Sequence, residues 1–315
     1  MTRALVTGGN GFAGRHLVAI LRERGDEVVV AGRAHAVERV DYELDLGDGD
    51  NVLGLIESTR PRVIYHLAAV SFVPDATHDP NGTYETNIMG TARLFEAVHT
   101  VYRDIAPPRC IFASSAEVYG TRAPDEYPLR ETLAPRPATP YAASKLSGEA
   151  IALAASRTFG IPAIVTRAFN HIGPGQDERF AIPSFAKGLA EISRGAEPIL
   201  SVGNLSSKRD FLDVRDVVSA YVALADDGLD GEIYNVCSGR PVSMAEILRQ
   251  LIGVARVAVE VRENSDLMRP SDNPLSYGNN TKLRAVTGWK PRITLPQSLR
   301  DVYAEASAKV HAGVG

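Results

Sequence analysis

Hydrophobic positions along the chain form short runs that alternate with longer stretches in which an apolar residue recurs every three or four positions. In the first 170 residues the short runs are rich in β-branched residues and predict buried strands: "RALVT", "EVVVA", "RVIYHLA", "RCIFASS" and "PAIVT". The stretches between them predict helices over residues 11–24, 51–59 and 84–101, and a further helix opening at "TPYAASK". This alternation predicts an α/β fold, a Rossmann-type doubly wound parallel sheet with helices on both faces.

After about residue 170 the pattern loosens into turns rich in glycine and proline, such as "HIGPGQ" and "MRPSDNP". Helical periodicity returns over residues 182–193, 214–225 and 244–251. We therefore expect a dinucleotide-binding domain over residues 1–170. Residues 171–315 should form a smaller C-terminal α/β region that mainly binds substrate, with possible return strands to the first sheet.

Charge and cysteine content limit the kinds of partner and metal site that we expect for this protein. The 315 residues carry 34 Lys and Arg against 38 Asp and Glu, a net charge of −4 without long single-sign runs. This balance predicts no nucleic-acid partner. No apolar run approaches about 18 residues and no cleavable signal pattern is visible, so we expect no membrane span and a cytoplasmic location. Cys110 and Cys237 lie far apart and predict neither a disulfide nor a metal site.

A glycine loop follows the first predicted strand. In "VTGGNGFAG", Gly8, Gly11 and Gly14 are spaced as GxxGxxG, and Phe12 opens the next helix. Glycine allows the backbone to turn tightly and approach a diphosphate, which the free N–H groups of a helix N-terminus stabilise. Because both the strand and the helix are present, the loop predicts a dinucleotide site.

The ends of the next strands bear on which dinucleotide binds. "VVVAGRA" offers Arg33 in place of an acidic residue, and an arginine there can take a 2′-phosphate, which favours NADP(H) over NAD(H). A solvated loop arginine would look the same. Asp45 and Leu46 in "DYELDL" and Ala68 in "HLAA" follow the expected path of the dinucleotide, although Asp45 could equally be a turn former.

The stretch "TPYAASK" begins a helix, because Thr139 is a good N-cap and proline is favoured at the first helical position. Tyr141 and Lys145 are i and i+4 on one face, and the ammonium should lower the pKa of the tyrosine toward that of a general acid or base. Ser115 ends the preceding strand and can hydrogen-bond a reacting oxygen. Tyr-x-x-x-Lys alone is common on exposed helices; beside Ser115 and the glycine loop it predicts catalysis.

The combination of "TGGNGFAG", "SSAEVYG" and "PYAASK" resembles the extended short-chain dehydrogenase/reductases, which act on nucleotide-activated sugars. This resemblance implies that Tyr141 transfers a proton, Ser115 holds the reacting oxygen and Lys145 also binds the nicotinamide ribose. "TRAFNHIGPGQ", "KRDFLDVRDVVSAY" and "GEIYNVCSG" look most like the GDP-6-deoxy-4-keto-mannose reductases, which make GDP-rhamnose. The implied reaction is NAD(P)H-dependent reduction of the 4-keto group of a GDP-sugar.

The resemblance also implies substrate residues. Asn170 matches a position that contacts substrate, and Arg209 and Arg269 match arginines that approach the diphosphate, although a turn residue and surface ion pairs would look similar. Lys187 ends the variable segment 180–187, in which guanine recognition is expected. Asn87 looks like the asparagine that supports the active site of the family, or a buried structural asparagine.

Glu117 keeps a second activity open. Sugar 4,6-dehydratases carry a glutamate two residues after this serine to remove a proton from C5, a base that keto reduction does not need. A GDP-mannose 4,6-dehydratase or nucleotide-sugar 4-epimerase is therefore the alternative, with a non-catalytic dinucleotide sensor as a third possibility. The helical patterns over 84–101 and 141–158 resemble those of the family's homodimer interface, and Leu146 and Ile151 could equally be core.

Overall fold

The computed structural model describes residues 2–34, 39–267 and 273–313. Its strands, in chain order, are β1 Arg3–Thr7, β2 Glu27–Gly32, β3 Tyr42–Glu43, β4 Val63–His66, β5 Arg109–Ser115, β6 Ala163–Ala168, β7 Asn170–Ile172, β8 Ile199–Val202, β9 Lys208–Asp213, β10 Ile233–Val236, β11 Pro241–Ser243, β12 Glu260–Glu263 and β13 Leu275–Ser276. Its α-helices are α1 Phe12–Glu23, α2 Gly49–Thr59, α3 Val73–His78, α4 Pro80–Tyr84, α5 Gly90–Val101, α6 Pro140–Phe159, α7 Ala181–Ser193, α8 Val214–Asp227, α9 Met244–Ala255, α10 Thr281–Thr287 and α11 Leu295–His311.

The main sheet has seven strands in the order β10-β6-β5-β4-β1-β2-β3, and every pairing in it is parallel. The apolar runs form its centre because strands covered on both faces need apolar side chains on both sides. Val6, for example, lies between Val30 of β2 and Tyr65 of β4. The predicted doubly wound α/β fold is confirmed.

Helices cover both faces of this sheet. On one face α1 and α8 pack Leu17, Leu21 and Leu224 against the sheet. On the other face α2, α5 and α6 pack residues such as Leu55 and Phe95. The order of the strands reverses between β1 and β4, so the carboxyl ends of these strands open into a crevice where ligands of such folds bind.

A π-helical turn, Glu85–Met89, joins α4 to α5 and makes residues 80–101 one continuous helical segment. A π turn inserts an extra residue into an α-helix and is frequent at functional sites. Asn87 lies within this turn and is buried. The segment predicted as a uniform helix over 84–101 therefore has a local irregularity at this asparagine.

The second half of the chain builds its own layer and also returns to the first. β7, β9, β11 and β13 form a smaller sheet, β8 pairs with β12, and α7, α9 and α11 surround an apolar core. β10 and α8, however, belong to the main sheet and its covering layer. The chain therefore contributes a late strand to the main sheet, and the division into domains at residue 170 stays a prediction. In the described part of the chain, no helix has the length and apolar character to cross a membrane.

Candidate active site

A cleft of about 800 Å³ lies at the carboxyl ends of β1, β2, β4, β5 and β6. Fourteen of the candidate site residues line it: Gly8, Gly11, Phe12, Gly14, Arg33, Asp45, Leu46, Ala68, Ser115, Glu117, Tyr141, Lys145, Asn170 and Arg209. Lys187 does not line it; its ammonium lies 2.8 Å from the Glu178 carboxylate on the preceding loop. Arg269 lies outside the described residues. The structure therefore gathers the dinucleotide, catalytic and most substrate candidates in one place.

The glycine loop has the backbone that a diphosphate requires. Gly8 has φ +70°, and a Cβ on Gly14 would lie 2.1 Å from the Gly8 carbonyl oxygen, so both positions exclude larger side chains. Helix α1 begins directly after Gly11, its N-cap residue, and no side chain caps this end of the helix. Its first N–H groups are available to an anion, and the loop fits a dinucleotide diphosphate.

The end of β2 forms the rim of the cleft. Gly32 is buried there beside the Asn10 side chain, whose amide donates to the Arg33 carbonyl at 2.8 Å. The Arg33 side chain is exposed at the rim. The Asp45 carboxylate accepts from the Gly47 N–H at 2.8 Å, so this residue forms a turn while it also lines the cleft.

The catalytic candidates are held by α6 and β5. The Thr139 hydroxyl caps α6 by accepting from the Ala142 N–H at 3.1 Å, which places Tyr141 in the first turn. Tyr141 forms a side-chain hydrogen bond with Ser115. The Lys145 ammonium donates to the Ala113 carbonyl of β5 at 2.8 Å. The strand end and the helix start therefore bring all three side chains to one point of the cleft.

Burial dominates the acid–base properties of this group. It raises the pKa of Tyr141 to about 12; the hydrogen bond from Ser115 opposes this rise and the Glu117 charge adds to it. It lowers the pKa of Lys145 to about 8, against the opposing charge of Glu149. The tyrosine pKa thus moves in the opposite direction to the one expected from the sequence. The reason is that both side chains are removed from water, which disfavours the phenolate more strongly than its neighbours favour it.

A chain of hydrogen bonds runs beneath the cleft from β1, the strand before the glycine loop, to α6, the helix that carries Tyr141 and Lys145. His66 lies between the Thr7 hydroxyl at 2.8 Å and the Thr91 hydroxyl at 3.1 Å. Thr91 donates to the Asn87 carbonyl, so its oxygen accepts the Nε2 proton of His66, which is neutral. Asn87 donates to the Ser144 hydroxyl at 2.9 Å, one turn into α6. Burial lowers the pKa of His66 to about 3, which suits this neutral role.

An aromatic clasp, defined here as Phe72, Asp75, Arg179 and Phe180, lines part of the cleft. The Phe72 and Phe180 rings meet edge to face at 5.2 Å, and the Arg179 guanidinium lies 4.6 Å from the centre of the Phe72 ring. Arg179 also pairs with Asp75 at 2.9 Å. Phe180 begins the variable segment 180–187, but no sequence signal pointed to Phe72, Asp75 and Arg179, which come from two distant parts of the chain and carry no motif.

Two further aromatic residues were also missed. His171 stacks on Phe12 with ring centres 5.8 Å apart, which links the start of α1 to β7. Tyr221 reaches the cleft from α8 and is buried. His171 follows Asn170 in "FNHIGPGQ", so its place in a recognisable motif was the available signal; Tyr221 had none beyond its helical position.

The fold and this site define a nicotinamide-dependent oxidoreductase of the extended short-chain dehydrogenase/reductase class. The chain belongs to the family described as GDP-mannose 4,6 dehydratase, whose model matches residues 5–302. It is 38% identical over 309 residues to a GDP-6-deoxy-D-mannose reductase of Pseudomonas aeruginosa, with 98% of each chain covered.

Solved structures agree with this assignment. The structure of RMD from Pseudomonas aeruginosa complexed with NADPH has a TM-score of 0.89 and 36% identity, covering 98% of this chain and 100% of its own. The Thermus thermophilus UDP-glucose 4-epimerase, in complex with NAD, has a TM-score of 0.85 and 30% identity, covering 96% and 98%. Members of the class thus carry either dinucleotide, which is consistent with NADP(H) or NAD(H) as the cofactor here.

Proposed function

We propose that this chain reduces the 4-keto group of GDP-4-keto-6-deoxy-D-mannose to give GDP-D-rhamnose, using NADPH or NADH. The observation that carries the proposal is the set of Ser115, Tyr141 and Lys145 in the cleft of a chain that is 38% identical, along 98% of its length, to a GDP-6-deoxy-D-mannose reductase. A protein that only senses a dinucleotide would not need a buried tyrosine beside a lysine and a serine.

The proposed chemistry divides between cofactor and protein. When bound, the reduced nicotinamide supplies the hydride for C4 of the sugar. Tyr141 gives its phenolic proton to the oxygen on which negative charge develops, and Ser115 donates a hydrogen bond to the same oxygen. A tyrosine with a pKa near 12 holds its proton until that charge appears. Lys145 places a cation beside the tyrosine as it loses the proton.

The substrate residues are proposed from their places in the cleft. Asn170 is exposed on the cleft wall at the start of β7, next to the strand that carries Arg209. We propose that Asn170 contacts the sugar and that Arg209 binds the diphosphate, because a guanidinium can bind two oxygens at once. Arg269 stays a candidate for the same diphosphate. Lys187 also stays a candidate from the variable segment 180–187, with its ammonium paired with Glu178 outside the cleft.

The experiment that tests the proposal follows cofactor and sugar together. Purified protein is incubated with GDP-4-keto-6-deoxy-D-mannose and NADPH, while absorbance at the reduced-nicotinamide band and the mass of the nucleotide sugar are recorded. Stoichiometric loss of reduced cofactor with a gain of two hydrogens in the sugar is the expected result. A keto sugar that stays unchanged while wild-type protein binds NADPH would overturn it.

Glu117 favours one second candidate, a GDP-mannose 4,6-dehydratase. Its side chain is exposed and lines the cleft two residues after Ser115, and its charge acts on Tyr141. Such a base is what removal of a C5 proton would require. Incubation of the protein with GDP-mannose and no added reduced cofactor distinguishes the two activities, because a dehydratase would release one water and a reductase would leave this sugar unchanged.

We also propose a preference for NADPH over NADH, supported by Arg33 at the rim of the cleft beyond β2. A guanidinium there can pair with a 2′-phosphate, which NADH lacks. Arg33→Ala should weaken NADPH binding by about tenfold and leave NADH binding nearly unchanged. Equal weakening of both cofactors, measured by fluorescence titration, would assign Arg33 a structural role.

We propose that the protein forms a homodimer through α5 and α6. Phe159 at the end of α6 is 47% exposed and stacks on His99 of α5 at 4.1 Å, and Met89 beside α5 is 45% exposed. Leu146 and Ile151 are partly buried against cores of the same chain, so they contribute less to such a surface. Light scattering should give a dimer mass for the wild type and a lower mass for Phe159→Glu; a wild-type monomer would refute the proposal.

A cytoplasmic location is proposed as well. Cys110 and Cys237 are free and buried, an arrangement that suits a reducing compartment. Subcellular fractionation with an antibody to the protein would test this location.

A further inference from the structure

A buried carboxylate lies behind the cleft. Glu149 follows Lys145 by one helical turn on α6 and is 2% exposed. One of its oxygens accepts from the Ser114 hydroxyl at 2.5 Å and from Arg167 Nε at 2.9 Å. The other accepts from an Arg167 terminal nitrogen at 2.7 Å. Both carboxylate oxygens are thus occupied by groups from two neighbouring strands.

Glu149, Ser114 and Arg167 form a trio, and each of them is close in the chain to a residue proposed for catalysis or binding. Ser114 directly precedes Ser115 on β5, and Arg167 stands three residues before Asn170, at the end of β6. Glu149 itself is on the helix that carries Tyr141 and Lys145. One carboxylate therefore joins the three elements that position the proposed catalytic and sugar-binding side chains.

Burial of the Glu149 and Arg167 charges costs free energy, and the packing of these elements does not by itself require charged side chains. Arg167 is also 2% exposed; its remaining terminal nitrogen has no hydrogen-bond partner, and its guanidinium lies 4.7 Å from the centre of the Tyr119 ring. Apolar side chains of similar volume often hold such elements together equally well, because a buried ion pair must be desolvated. A function for the negative charge itself would account for its presence.

We propose that Glu149 is a positioning residue whose negative charge keeps the buried Lys145 ammonium protonated, and whose hydrogen bonds fix the Ser115 strand end against the catalytic helix. This inference rests on the proposed reductase function for its kinetic test. Glu149 touches neither substrate nor cofactor in this scheme. It acts through Lys145 and Ser114, from a position one turn farther along the helix face that carries Tyr141 and Lys145.

The electrostatic surroundings of Lys145 support this role. Burial is the larger influence and lowers the pKa of Lys145, while the Glu149 charge opposes that change. The other titratable or charged groups around the Tyr141–Lys145 pair come from β4, the end of β5, β6 and α8: neutral His66, Glu117, Arg167 and Tyr221. The Glu149 charge opposes the effect of burial on Lys145, so without Glu149 the lysine would lose its proton at a lower pH, whether or not Arg167 is present.

The test compares Glu149→Gln with a variant that removes both charges, Glu149→Leu with Arg167→Met, and with a matched control, Asp213→Asn. Asp213 is likewise a buried carboxylate that accepts from one arginine, Arg215, and one serine, Ser298, but it does not line the cleft. For each protein, kcat and KM for the keto sugar, the NADPH dissociation constant and the melting temperature are measured across pH 6 to 10.

For Glu149→Gln we expect the fall of kcat at high pH to begin about one pH unit lower than in the wild type. At a fixed pH above that point kcat should drop by about tenfold, with little change in KM. NADPH binding should weaken at the same lower pH, because Lys145 is proposed to hold the nicotinamide ribose. The double variant should regain the melting temperature of the wild type but keep the shifted pH profile of kcat. Asp213→Asn should lower the melting temperature without shifting that profile.

Two results would overturn the inference. One is a pH profile of kcat for Glu149→Gln that is the same as the profiles of the wild type and of Asp213→Asn. The other is a double variant that recovers the kinetic profile together with its stability, which would make the pair purely structural. The NADPH titration needs no sugar, so it still decides the role of Glu149 if the wild-type protein fails to reduce the proposed substrate.

Discussion

Replacement of Lys145 by methionine should make the protein more stable and inactive at the same time. Lys145 is 5% exposed, and in the proposed mechanism its charge serves catalysis rather than folding. Methionine has a similar length and no charge, so it can fill the same space beside Phe112. The variant therefore isolates the folding cost of the ammonium from the cost of an empty cavity.

The size of the effect follows from the pKa of Lys145, which falls from 10.5 to about 8 on folding. Below pH 8 the lysine is charged in both the folded and the unfolded chain, and the folded state bears the full penalty of about 3 kcal/mol. Above pH 10.5 neither state is charged and the penalty disappears. Loss of the hydrogen bond to Ala113 offsets about 1 kcal/mol, so we expect a net gain of about 2 kcal/mol at pH 7.

The assay is urea unfolding of the protein without ligand at pH 7 and pH 10, followed by tryptophan fluorescence and circular dichroism. The advantage of Lys145→Met should fall from about 2 kcal/mol at pH 7 to near zero at pH 10. Lys309→Met is the matched control, because Lys309 forms a partly exposed pair with Glu305 that contributes under about 0.5 kcal/mol.

Two outcomes would refute this reasoning. A Lys145→Met protein that is less stable than the wild type at pH 7 would mean that the ammonium stabilises the fold. A stability gain of the same size at both pH values would mean that packing, and not the charge, is responsible.

Three further predictions concern the site. Tyr141→Phe should lower kcat by about 10² to 10⁴ with NADPH affinity unchanged in a fluorescence titration; full turnover would remove Tyr141 from the proton transfer. Gly14→Ala places a Cβ 2.1 Å from the Gly8 carbonyl oxygen and should abolish NADPH binding in the same titration, whereas wild-type affinity would show that the loop adapts. The third concerns His66, whose pKa falls from 6.5 to about 3, so its contribution to stability is complete above pH 6.5 and is lost as the pH falls toward 3. Acid unfolding of the wild type should show this loss, up to about 1.4 kcal/mol per pH unit, and His66→Gln a smaller one; identical curves would contradict the assignment.

The parts of this site that could be predicted from sequence are those fixed by local chemistry. Gly8, Gly14, Thr139 and the Tyr141–Lys145 spacing each impose a backbone shape or a side-chain distance within a few residues. The alternation of apolar runs likewise predicted the layered sheet, since the spacing of apolar residues in each strand and helix indicates which of its faces is buried. These elements have the expected places in the structure.

What the sequence could not supply depends on distant neighbours. The direction of the Tyr141 pKa follows from how completely the folded chain buries it, and no local pattern records that. Lys187 pairs with Glu178 because the loop before α7 folds back beside it. The contact of Glu149 with Arg167 requires α6 and β6 to be adjacent, which follows only from the assembled order of the strands.

The return of β10 to the edge of the main sheet limits how the enzyme could be divided for engineering. All residues of β6 are buried, and β10 covers the edge of that strand. A fragment ending near residue 170 would expose this apolar edge as a template for strand addition by other chains, and would lack α8 over Leu17 and Leu21. A dinucleotide-binding module intended for transplantation must therefore carry residues 214–236 with it, through a linker or a circular permutation, or it will aggregate.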